Sequence, residues 1–532
     1  MADNKIYYSP FPDVELPGTS IWHFIFANPN PPDDDKVVYV DCLTDRQIKF
    51  GELKSLSKRL AYGLIHRAKL TKDDVFLMFS ANTLLYPVLV HAAQAATLCV
   101  TLANSTYQVD ELEHQINDSG AKVIVVGKSV IEVAKKAAVK CGIADRDIYV
   151  MDEEGYEHYQ SIWSLAGREE LDPLHLSPKE AKQRTAFMCY SSGTTGKAKG
   201  VKTSHYNLTS MILQLRAGDP GPYTPSAKFA VIVPLYHIYG TVFFIFMPPF
   251  CHATTHILPR FELEMWLKSI QKYRITLAHI VPPIALLLAK HPLVDKYDLS
   301  SVGVWGCAAA PLGNDLIEVV EMRTKIPVRE GYGMTESTCV ISYARRENLK
   351  RGTVGPLMPN MSAKIVDGEL LIKGPNVMKG YLRNPEADIA AFTEDGWMRT
   401  GDIAWFDDDD DLFIVDRVKE VIKYKGIQVP PAELEDLLLK HPDVDDAAVI
   451  GVYKPDEVTE VPKAYIVLSA SAKGKSNIEM AIAAWVATCV ANHKKLRGGV
   501  QVIDVIPKSP SGKILRRLLK DHSGLKTVGT RL

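Results

Sequence analysis

Short apolar stretches alternate with helical patterns along residues 49–305. Residues 49–64 carry leucines at helical spacing with charged residues between them, which predicts an amphipathic helix. The small apolar residues 92–100 predict a buried helix. Strands are predicted at 75–79, 121–126, 229–233, 257–258, 275–281 and 302–305. Because strands and helices alternate, we expect an α/β domain in which most strands are buried.

The pattern changes after five consecutive aspartates at residues 407–411. These carboxylates could bind a metal, but we expect a solvated hairpin turn, because adjacent carboxylates repel one another and point to different sides. Beyond the charged residues 416–419, shorter helix and strand patterns predict a compact α+β domain. We therefore predict two domains, residues 1–415 and residues 416–532.

Composition narrows the function classes. The chain has 532 residues, of which 46% are hydrophobic, so it can bury several cores. Its formal net charge of −1 argues against a general nucleic-acid binder. The eight scattered cysteines form no C-x-x-C pair, so we expect reduced thiols rather than disulfides or a zinc site.

The sequence carries no strong targeting signal and no strong signal for a membrane-spanning helix. No apolar run reaches the roughly 18 residues of a membrane helix, and no secretory signal is apparent. We expect a cytoplasmic protein, since the final Thr-Arg-Leu only loosely resembles the peroxisomal Ser-Lys-Leu address. The oligomeric state expected is a monomer or a weak dimer.

A loop rich in glycine and hydroxyl groups spans residues 190–201, with the sequence Y-S-S-G-T-T-G-K-A-K-G-V. Glycines let backbone N–H groups turn toward an anion, hydroxyls add donors, and lysines supply positive charge. The pattern predicts a phosphate-binding loop, and a flexible linker is the alternative. Its candidate binding residues are Ser191, Ser192, Gly193, Thr194, Thr195, Gly196, Lys197 and Lys199.

Two later segments carry further candidate chemistry. His237 and two tyrosines follow a predicted strand, where sites of α/β proteins usually form, although a lone histidine is more often structural. Residues 331–336 read G-Y-G-M-T-E. Tyr332 could stack on a base, Thr335 could bond a phosphate, and Glu336 could hold Mg²⁺. An ordinary turn before a capped helix explains the same residues equally well.

Two more segments lie toward the end of the chain. Asp402, in the sequence R-T-G-D, could accept hydrogen bonds from both ribose hydroxyls, or could belong to an ordinary turn. Lys513 lies in a loop of glycine, serine and proline at residues 507–517. A lysine near the end of a chain usually has no role, so neither segment establishes a site by itself.

Together these segments resemble the adenylate-forming enzymes, which include acyl-CoA synthetases, 4-coumarate–CoA ligases, beetle luciferases and peptide-synthetase adenylation domains. The resemblance runs from about residue 49 to residue 517 and keeps the family's order of motifs. Residues 236–239 and 419–435 look closest to the 4-coumarate–CoA ligase branch. The resemblance implies a large α/β domain with a small mobile α+β lid. It also implies a two-step reaction, in which a carboxylate and ATP give acyl-AMP and pyrophosphate, and CoA then replaces AMP.

The resemblance also implies roles for single residues. The phosphate-binding loop would cradle the β- and γ-phosphates, and Glu336 would ligate Mg²⁺. Lys513 would bridge the carboxylate and the α-phosphate in the first step. The other ATP or AMP contacts implied are Ala310, Tyr332, Thr335, Asp402, Arg417 and Gln428. The residues implied in catalysis are Lys513, His237, Lys423 and Thr335.

The lid and the acyl site follow from the same resemblance. Lys419 falls at the hinge about which the lid swings between the two steps. Lys423, Gly426 and Gln428 match residues that enter the site for the second step, when Lys513 leaves. His237 would be the gate between the carboxylate site and the thiol tunnel. The residues that would contact the acyl group are His237, Tyr239, Ala308 and Gly331.

The chain departs from the family pattern at several positions. Ala198 replaces a usual proline, which loosens the loop without removing donors. Ala308 replaces a usual glycine, and its methyl group would narrow the acyl pocket. Glu330 stands where the 4-coumarate–CoA ligase branch commonly has glutamine, and residues 337–339 read S-T-C instead of A-G-P. These last three changes bear on which acid is bound.

The sequence favours an ATP-dependent acid–thiol ligase acting on an apolar carboxylic acid, either aryl or of medium chain length. Tyr239 and the apolar residues 241–250 favour such an acid over acetate. One alternative is an adenylating enzyme that passes acyl-AMP to a carrier-protein thiol or to another acceptor. The other is a nucleotide-binding relative that has lost catalysis.

Overall fold

A seven-stranded sheet forms one layer of the large domain. The computed structural model describes residues 5–191, 197–308, 312–346, 349–425, 427–509 and 512–522. All neighbouring strands of this sheet are parallel except the first pair. In spatial order the strands are Lys199–Ser204, Thr185–Ser191, Cys99–Ala103, Val75–Phe79, Ala121–Val126, Ile148–Val150 and Gln160–Ser161. The phosphate-binding loop therefore joins the two antiparallel strands at one edge.

An eight-stranded sheet forms a second layer, parallel in its centre and antiparallel at its two outer pairs. In spatial order the strands are Ser342–Tyr343, Val328–Tyr332, Val304–Cys307, Leu277–Ile280, Lys228–Val231, Thr254–Ile257, Val37–Asp41 and Gln47–Lys49. Carboxyl ends of parallel strands meet at one edge of a sheet. His237, Ala308 and Tyr332 all come at or after such ends, so the topology brings these segments to the same edge.

A five-stranded antiparallel sheet follows in the chain and pairs with its amino-terminal strand. In spatial order the strands are Ile6–Tyr8, Ser362–Val366, Glu369–Lys373, Met398–Phe406 and Leu412–Arg417. The predicted aspartate hairpin is present, because the Asp407 N–H donates to the Asp411 carbonyl at 3.1 Å. Asp411 itself is buried, and burial raises the pKa of its carboxyl, so this end of the turn is not solvated.

The helices of the large domain cover these sheets. The leucine pattern at 49–64 corresponds to helix Phe50–His66, which buries Leu53, Leu60 and Leu64. The buried helix expected at 92–100 is wrong in its extent, because a helix ends at Ala95 and a strand begins at Cys99. The other helices are Ile21–Phe26, Leu85–Ala95, Val109–Ser119, Ile131–Cys141, Pro178–Gln183, His205–Gly218, Ile238–Gly240, Met247–Phe250, Leu263–Tyr273, Pro282–Lys290, Asn314–Thr324 and Pro385–Ala391.

The segment after the five-stranded sheet folds around its own core. A hairpin of Ile422–Tyr424 and Ile427–Val429 precedes a three-stranded sheet of Val444–Lys454, Thr459–Leu468 and Val500–Val502. Its helices are Pro431–Leu439, Ile478–Cys489 and Arg516–His522. This segment is the smaller α+β unit expected after the α/β domain, and we call it the lid. The boundary placed at residues 415 and 416 stays a prediction, since strand Leu412–Arg417 runs across it.

Among the residues that the structure describes, no helix combines the length and the apolar character that crossing a bilayer demands.

Candidate functional site

Asp402 lies at the centre of a cluster where the eight-stranded and five-stranded sheets meet. The hydroxyl of Tyr332, the last residue of its strand, donates to Asp402 Oδ2. Arg417 Nε lies 3.3 Å from Asp402 Oδ1, because the two residues are partners on adjacent antiparallel strands. Burial raises the pKa of Asp402, and the Arg417 guanidinium and the Tyr332 hydroxyl oppose that rise. The cluster thus holds a carboxylate with both of its oxygens engaged.

Lys513 reaches this cluster from the lid. A tight turn presents it: its carbonyl accepts from the Ser509 N–H at 2.8 Å, and Gly512 adopts a φ of 85°, which favours glycine. The pKa of Lys513 is lowered to about 8, chiefly by burial and then by the charge of Arg417, while Glu420 and Asp402 act in the opposite direction. Lys513 therefore lies close to Asp402 and Arg417.

His237 lies at the same place. Its Nδ1 accepts a hydrogen bond from the Tyr239 N–H at 3.3 Å and caps the short helix that follows. Burial lowers the pKa of His237 to about 4, and the positive charge of Lys513 contributes to that shift. The imidazole is therefore neutral at physiological pH, and it faces the lid lysine.

Glu336 forms a second polar centre beside the phosphate-binding loop. Its Oε1 accepts from the Ser191 hydroxyl at 2.9 Å and from the Tyr381 hydroxyl at 3.0 Å. The Lys199 ammonium lies 4.9 Å from the centre of the Tyr381 ring. Tyr381 was not identified as a candidate from the sequence, because it lies in a segment without a recognised motif. Of the loop's candidates, residues 192–196 lie outside the described residues.

Glu336 is the candidate ligand for Mg²⁺. Within the described parts of the chain, no group of three or more His, Cys, Asp or Glu side chains is arranged to hold a metal ion. Mg²⁺ is commonly held by one or two carboxylates, several waters and the phosphates of a substrate. One buried carboxylate beside a phosphate-binding loop fits that arrangement.

A cavity of about 580 Å³ separates the phosphate-binding loop from the lid. Tyr190, Lys197 and Ala198 line it on one side, and Lys419, Lys513 and Arg517 line it on the other. Over the whole lining, six cationic side chains (Lys197, Lys419, Lys513, Arg516, Arg517 and Lys520) outnumber three carboxylates (Asp110, Glu111 and Glu420), so a polyanion such as a triphosphate chain suits this space. The cavity reaches Lys513, which also belongs to the Asp402 cluster.

The residues predicted to meet the acyl group lie among aromatic side chains. The Tyr239 hydroxyl and His279 Nδ1 are 2.6 Å apart and hydrogen-bonded. A Cβ added to Gly331 would lie 2.6 Å from Cδ2 of Tyr343, so that ring occupies the space a side chain would need. His279 and Tyr343 were not identified from the sequence, because only the fold brings them beside Tyr239 and Gly331. Ala308 is half-buried, and Ala310 lies outside the described residues.

Glu330, the departure noted in the sequence, lies one strand position before Gly331. Its Oε1 accepts from the Leu312 N–H at 3.3 Å. Burial raises the pKa of Glu330 to about 7, against the effects of that hydrogen bond and of Arg351. This carboxyl is therefore partly protonated near neutral pH.

The residues assigned to the second step belong to the hairpin of Ile422–Tyr424 and Ile427–Val429. Lys423 and Gln428 are directly opposite each other on the hairpin, and both are exposed. Lys419, the predicted hinge, is exposed in the turn after strand Leu412–Arg417. Thr335 is half-buried at the start of a short 3₁₀ turn that also contains Glu336. Gly426 lies outside the described residues. The structure thus docks Lys513, and not Lys423, beside Asp402.

Comparisons with known proteins show which proteins this chain resembles. A family model described as AMP-binding enzyme matches residues 26–382, and one described as AMP-binding enzyme C-terminal domain matches residues 433–513. A 4-coumarate–CoA ligase of Pinus taeda is 36% identical, with 98% of each chain covered. The 4-coumarate–CoA ligase 3 of Arabidopsis thaliana is 35% identical, with 97% of this chain and 94% of the relative covered.

Solved structures show the same fold. The crystal structure of ATP-bound MatB from Rhodopseudomonas palustris superposes with a TM-score of 0.84 at 26% identity, covering 94% of this chain and 99% of that one. The o-succinylbenzoate CoA synthetase of Bacillus subtilis, with its acyl-adenylate OSB-AMP bound, gives a TM-score of 0.78 at 26% identity, with 94% and 98% covered. The α/β fold class and the family resemblance predicted from the sequence are confirmed.

Proposed function

Because this chain belongs to the AMP-binding enzyme family, we propose that it joins a carboxylic acid to the thiol of CoA, with ATP cleaved to AMP and pyrophosphate. In the first step a carboxylate oxygen attacks the α-phosphorus, and the bond to pyrophosphate breaks. In the second step the CoA sulfur attacks the acyl carbon, AMP leaves, and the thiol proton is lost. The observation that carries this proposal is the docking of Lys513 beside Asp402 and Arg417.

Lys513 acts on charge in the first step. With a pKa of about 8 it carries a positive charge at neutral pH. That charge offsets the repulsion between the incoming carboxylate and the α-phosphate, and it stabilises the negative charge that builds on the phosphorus oxygens. Asp402 and Arg417 hold the ribose next to it, and Tyr332 stacks on adenine while Thr335 bonds the α-phosphate.

The phosphate-binding loop and Glu336 hold the rest of ATP. Ser191, Lys197 and Lys199 face the β- and γ-phosphates from the loop side. Glu336 would hold Mg²⁺, which supplies positive charge to the phosphates when bound. Hydrogen bonds from Ser191 and Tyr381 fix the orientation of the Glu336 carboxylate.

The second step uses the lid in another position. Rotation about Lys419 withdraws Lys513 and brings in the hairpin that carries Lys423, Gly426 and Gln428. One site can then perform two reactions that need different groups at one carbon. His237 separates the carboxylate site from the path of the thiol. The two domains on which this depends are residues 1–415 and residues 416–532.

The acid is apolar, either aryl or of medium chain length. The acyl residues Tyr239 and Gly331 lie among aromatic rings, with Phe243 at 5.1 Å from Tyr239 between ring centres. Two of the most similar relatives are named 4-coumarate–CoA ligases, which agrees with an aryl acid. An acceptor other than CoA, such as a carrier-protein thiol, is the second candidate.

The test supplies purified protein with ATP, Mg²⁺ and a panel of hydroxycinnamates, benzoates and fatty acids, with and without CoA. Release of AMP together with a CoA thioester from one class of acid is the expected result. Release of AMP without a CoA product would replace CoA with another acceptor. If no acid in the panel supports release of AMP, although calorimetry shows that ATP binds, the protein is a nucleotide-binding relative without this catalysis.

A further inference from the structure

We infer that a contact between Gly313 of the large domain and Asp436 of the lid holds Lys513 in its docked position, and so positions it for the first step alone. The inference rests on the proposed function, because it assigns these residues to one of that function's two steps. Neither residue touches the reacting atoms. Both act through the placement of the lid helix, Pro431–Leu439.

At position 313 a neighbouring side chain, and not the backbone conformation, limits which residue fits. It precedes helix Asn314–Thr324, and its φ of −63° and ψ of 139° are available to any residue. A Cβ at this position would nevertheless overlap Oδ1 of Asp436 and lie 2.8 Å from its Cγ. The Asp436 carboxylate of the lid helix therefore lies directly against Gly313, and a methyl group at position 313 would force that carboxylate to turn away.

Charged groups surround this close approach. Lys440 Nζ, just past the end of the lid helix, lies 2.8 Å from Asp315 Oδ2 of the large domain and 3.4 Å from Asp436 Oδ2. The hydrogen bond to Asp315 raises the pKa of Lys440. The lysine thus bridges a carboxylate of the lid and one of the large domain. These side chains are partly exposed, so the bridge stabilises the contact only modestly.

The other end of the lid helix is also held by a residue that precedes the hinge. The Ala432 N–H donates to Asp416 Oδ2 at 3.2 Å. Pro430, which occupies the N-cap position, supplies no side-chain hydrogen bond, so Asp416 takes that place. Asp416 belongs to strand Leu412–Arg417, which ends before Lys419. Both ends of the helix are therefore fixed to elements that precede the predicted hinge at Lys419.

These contacts belong to the lid position in which Lys513 is docked. A rotation about Lys419 moves the lid helix relative to Gly313 and Asp416 and must break them. If the contact is weakened, lid positions in which Lys513 is out of the site become more populated. The ratio of the two populations depends exponentially on their difference in free energy, so even a modest weakening changes that ratio several-fold. The first step then slows, whereas the second step, which needs the other lid position, does not.

The test compares the two steps in Gly313→Ala. Acid-dependent exchange of pyrophosphate into ATP, without CoA, measures the first step. Thioester formation from preformed acyl-AMP and CoA in a single turnover measures the second. We expect the first rate to fall by about threefold to tenfold, and the second to stay within about twofold of the wild-type rate. An equal loss in both steps would overturn the inference, because a general defect in folding produces that result.

Removing the partner should have the same effect as filling its place. Asp436→Ala alone should slow the first step about as much as Gly313→Ala does, and the double variant should be no slower than either single variant, because all three lose the same contact. Additive losses in the double variant would contradict the assigned contact. A milder pair of variants tests the charges: Asp315→Lys and Lys440→Asp should each slow the first step, and the combined exchange should restore it.

Hydrogen–deuterium exchange supplies a measurement that needs no catalysis. In Gly313→Ala and in Asp436→Ala, amides of the lid helix should exchange faster than in the wild type, and the two substitutions together should add little to either one. Unchanged protection in Gly313→Ala would refute the contact even in a fully active enzyme. If the wild type shows neither step with any acid, the proposed ligase function fails, and this measurement still decides whether Gly313 and Asp436 hold the lid.

Discussion

Asp402 and Arg417 face each other on adjacent antiparallel strands, with 3.3 Å between Oδ1 and Nε. The pair has opposite effects on Lys513: Arg417 lowers the pKa of its ammonium, and Asp402 raises it. The lysine therefore enters a site whose charges nearly cancel. Within the part of the chain that the structure describes, no single carboxylate is the dedicated partner of Lys513, so a phosphate or carboxylate that binds there meets a cation that is not already neutralised.

Replacing Lys513 with alanine should abolish most of the first step while ATP still binds. The ammonium stabilises charge that develops in the transition state, and losing such a group typically costs 10²–10³-fold or more in rate. Pyrophosphate exchange measures the step, and calorimetric titration measures ATP affinity. Lys508→Ala is the matched control, since Lys508 lies in the same loop but pairs with Asp446 of the lid at 2.7 Å. Equal losses in the two variants would remove Lys513 from the reaction.

The first step should lose rate as pH rises through about 8. The pKa of Lys513 falls from its ordinary value of 10.5 to about 8, so the charge needed for the reaction disappears above that value. Stability should respond in the opposite direction. Between pH 8 and 10.5 the unfolded chain still holds this proton and the folded chain does not, so the contribution of Lys513 to the free energy of unfolding rises with pH.

A pH–rate profile of pyrophosphate exchange checks this prediction. Lys513→Arg should move the alkaline fall to higher pH, because a guanidinium stays protonated throughout the range. A fall at the same pH in both proteins would assign it to a different group.

Helices and strands were predicted correctly from the local sequence where the spacing of hydrophobic residues was regular over several turns. The leucines between Leu53 and Leu64 repeat over several turns, and helix Phe50–His66 is present. Residues 92–100 are small or apolar except for Gln94 and Thr97, so their periodicity cannot distinguish a buried helix from a buried strand. The chain places a helix end and a strand start there, with Thr97 between them at a φ of 54°. The α/β class followed from alternation, which such local errors do not disturb.

Residues of the candidate site could be predicted from the sequence only where they belong to a contiguous motif. Tyr332, Asp402 and Lys513 belong to recognisable segments, and the fold brings those segments together. Tyr381 and His279 have no such segment. Each is identified only by what it contacts in the folded chain: Tyr381 bonds Glu336 at 3.0 Å, and His279 bonds Tyr239 at 2.6 Å. Tertiary contacts of this kind leave no periodic or compositional signal in one sequence.

Tyr381→Phe should weaken the use of Mg²⁺ without unfolding the protein. The variant removes one of the two hydroxyls that orient the Glu336 carboxylate, and groups that orient a metal ligand are typically worth 10–100-fold in affinity or activity. The Mg²⁺ concentration that gives half the maximal exchange rate, measured at constant free ATP, should rise. Tyr453→Phe, at an exposed position of the lid, is the control. An unchanged Mg²⁺ dependence would contradict the role assigned to Tyr381.

Asp219→Ala should strongly destabilise the large domain. Arg329 Nη1 lies 2.7 Å from Asp219 Oδ2, and the two side chains are only 2% and 7% exposed. Removing one partner leaves a buried guanidinium without its carboxylate, which costs about 3–5 kcal/mol. Denaturant unfolding measures the change. Asp298→Ala, which removes the exposed partner of Arg274, should change stability little. Similar effects of the two variants would contradict the prediction.

Glu330→Gln should remove a pH dependence that the wild type shows between about 4.5 and 7. Burial raises the pKa of Glu330 from 4.5 to about 7, so the folded protein holds a proton over this range and the unfolded chain releases it. The contribution of Glu330 to stability is therefore complete below pH 4.5 and is lost as pH rises to 7, by an amount on the order of 1–3 kcal/mol.

The comparison is made by denaturant unfolding of both proteins at several pH values. The carboxamide of glutamine keeps an oxygen that can accept from the Leu312 N–H but does not titrate, so the stability difference between the two proteins should change sign or magnitude across this range. Glu318→Gln, on helix Asn314–Thr324, controls for the loss of one carboxylate elsewhere. Because Glu330 adjoins Gly331 of the acyl site, the same variant should also alter the pH dependence of KM for the acid. Parallel stability curves for the wild type and Glu330→Gln would show that this carboxyl titrates normally.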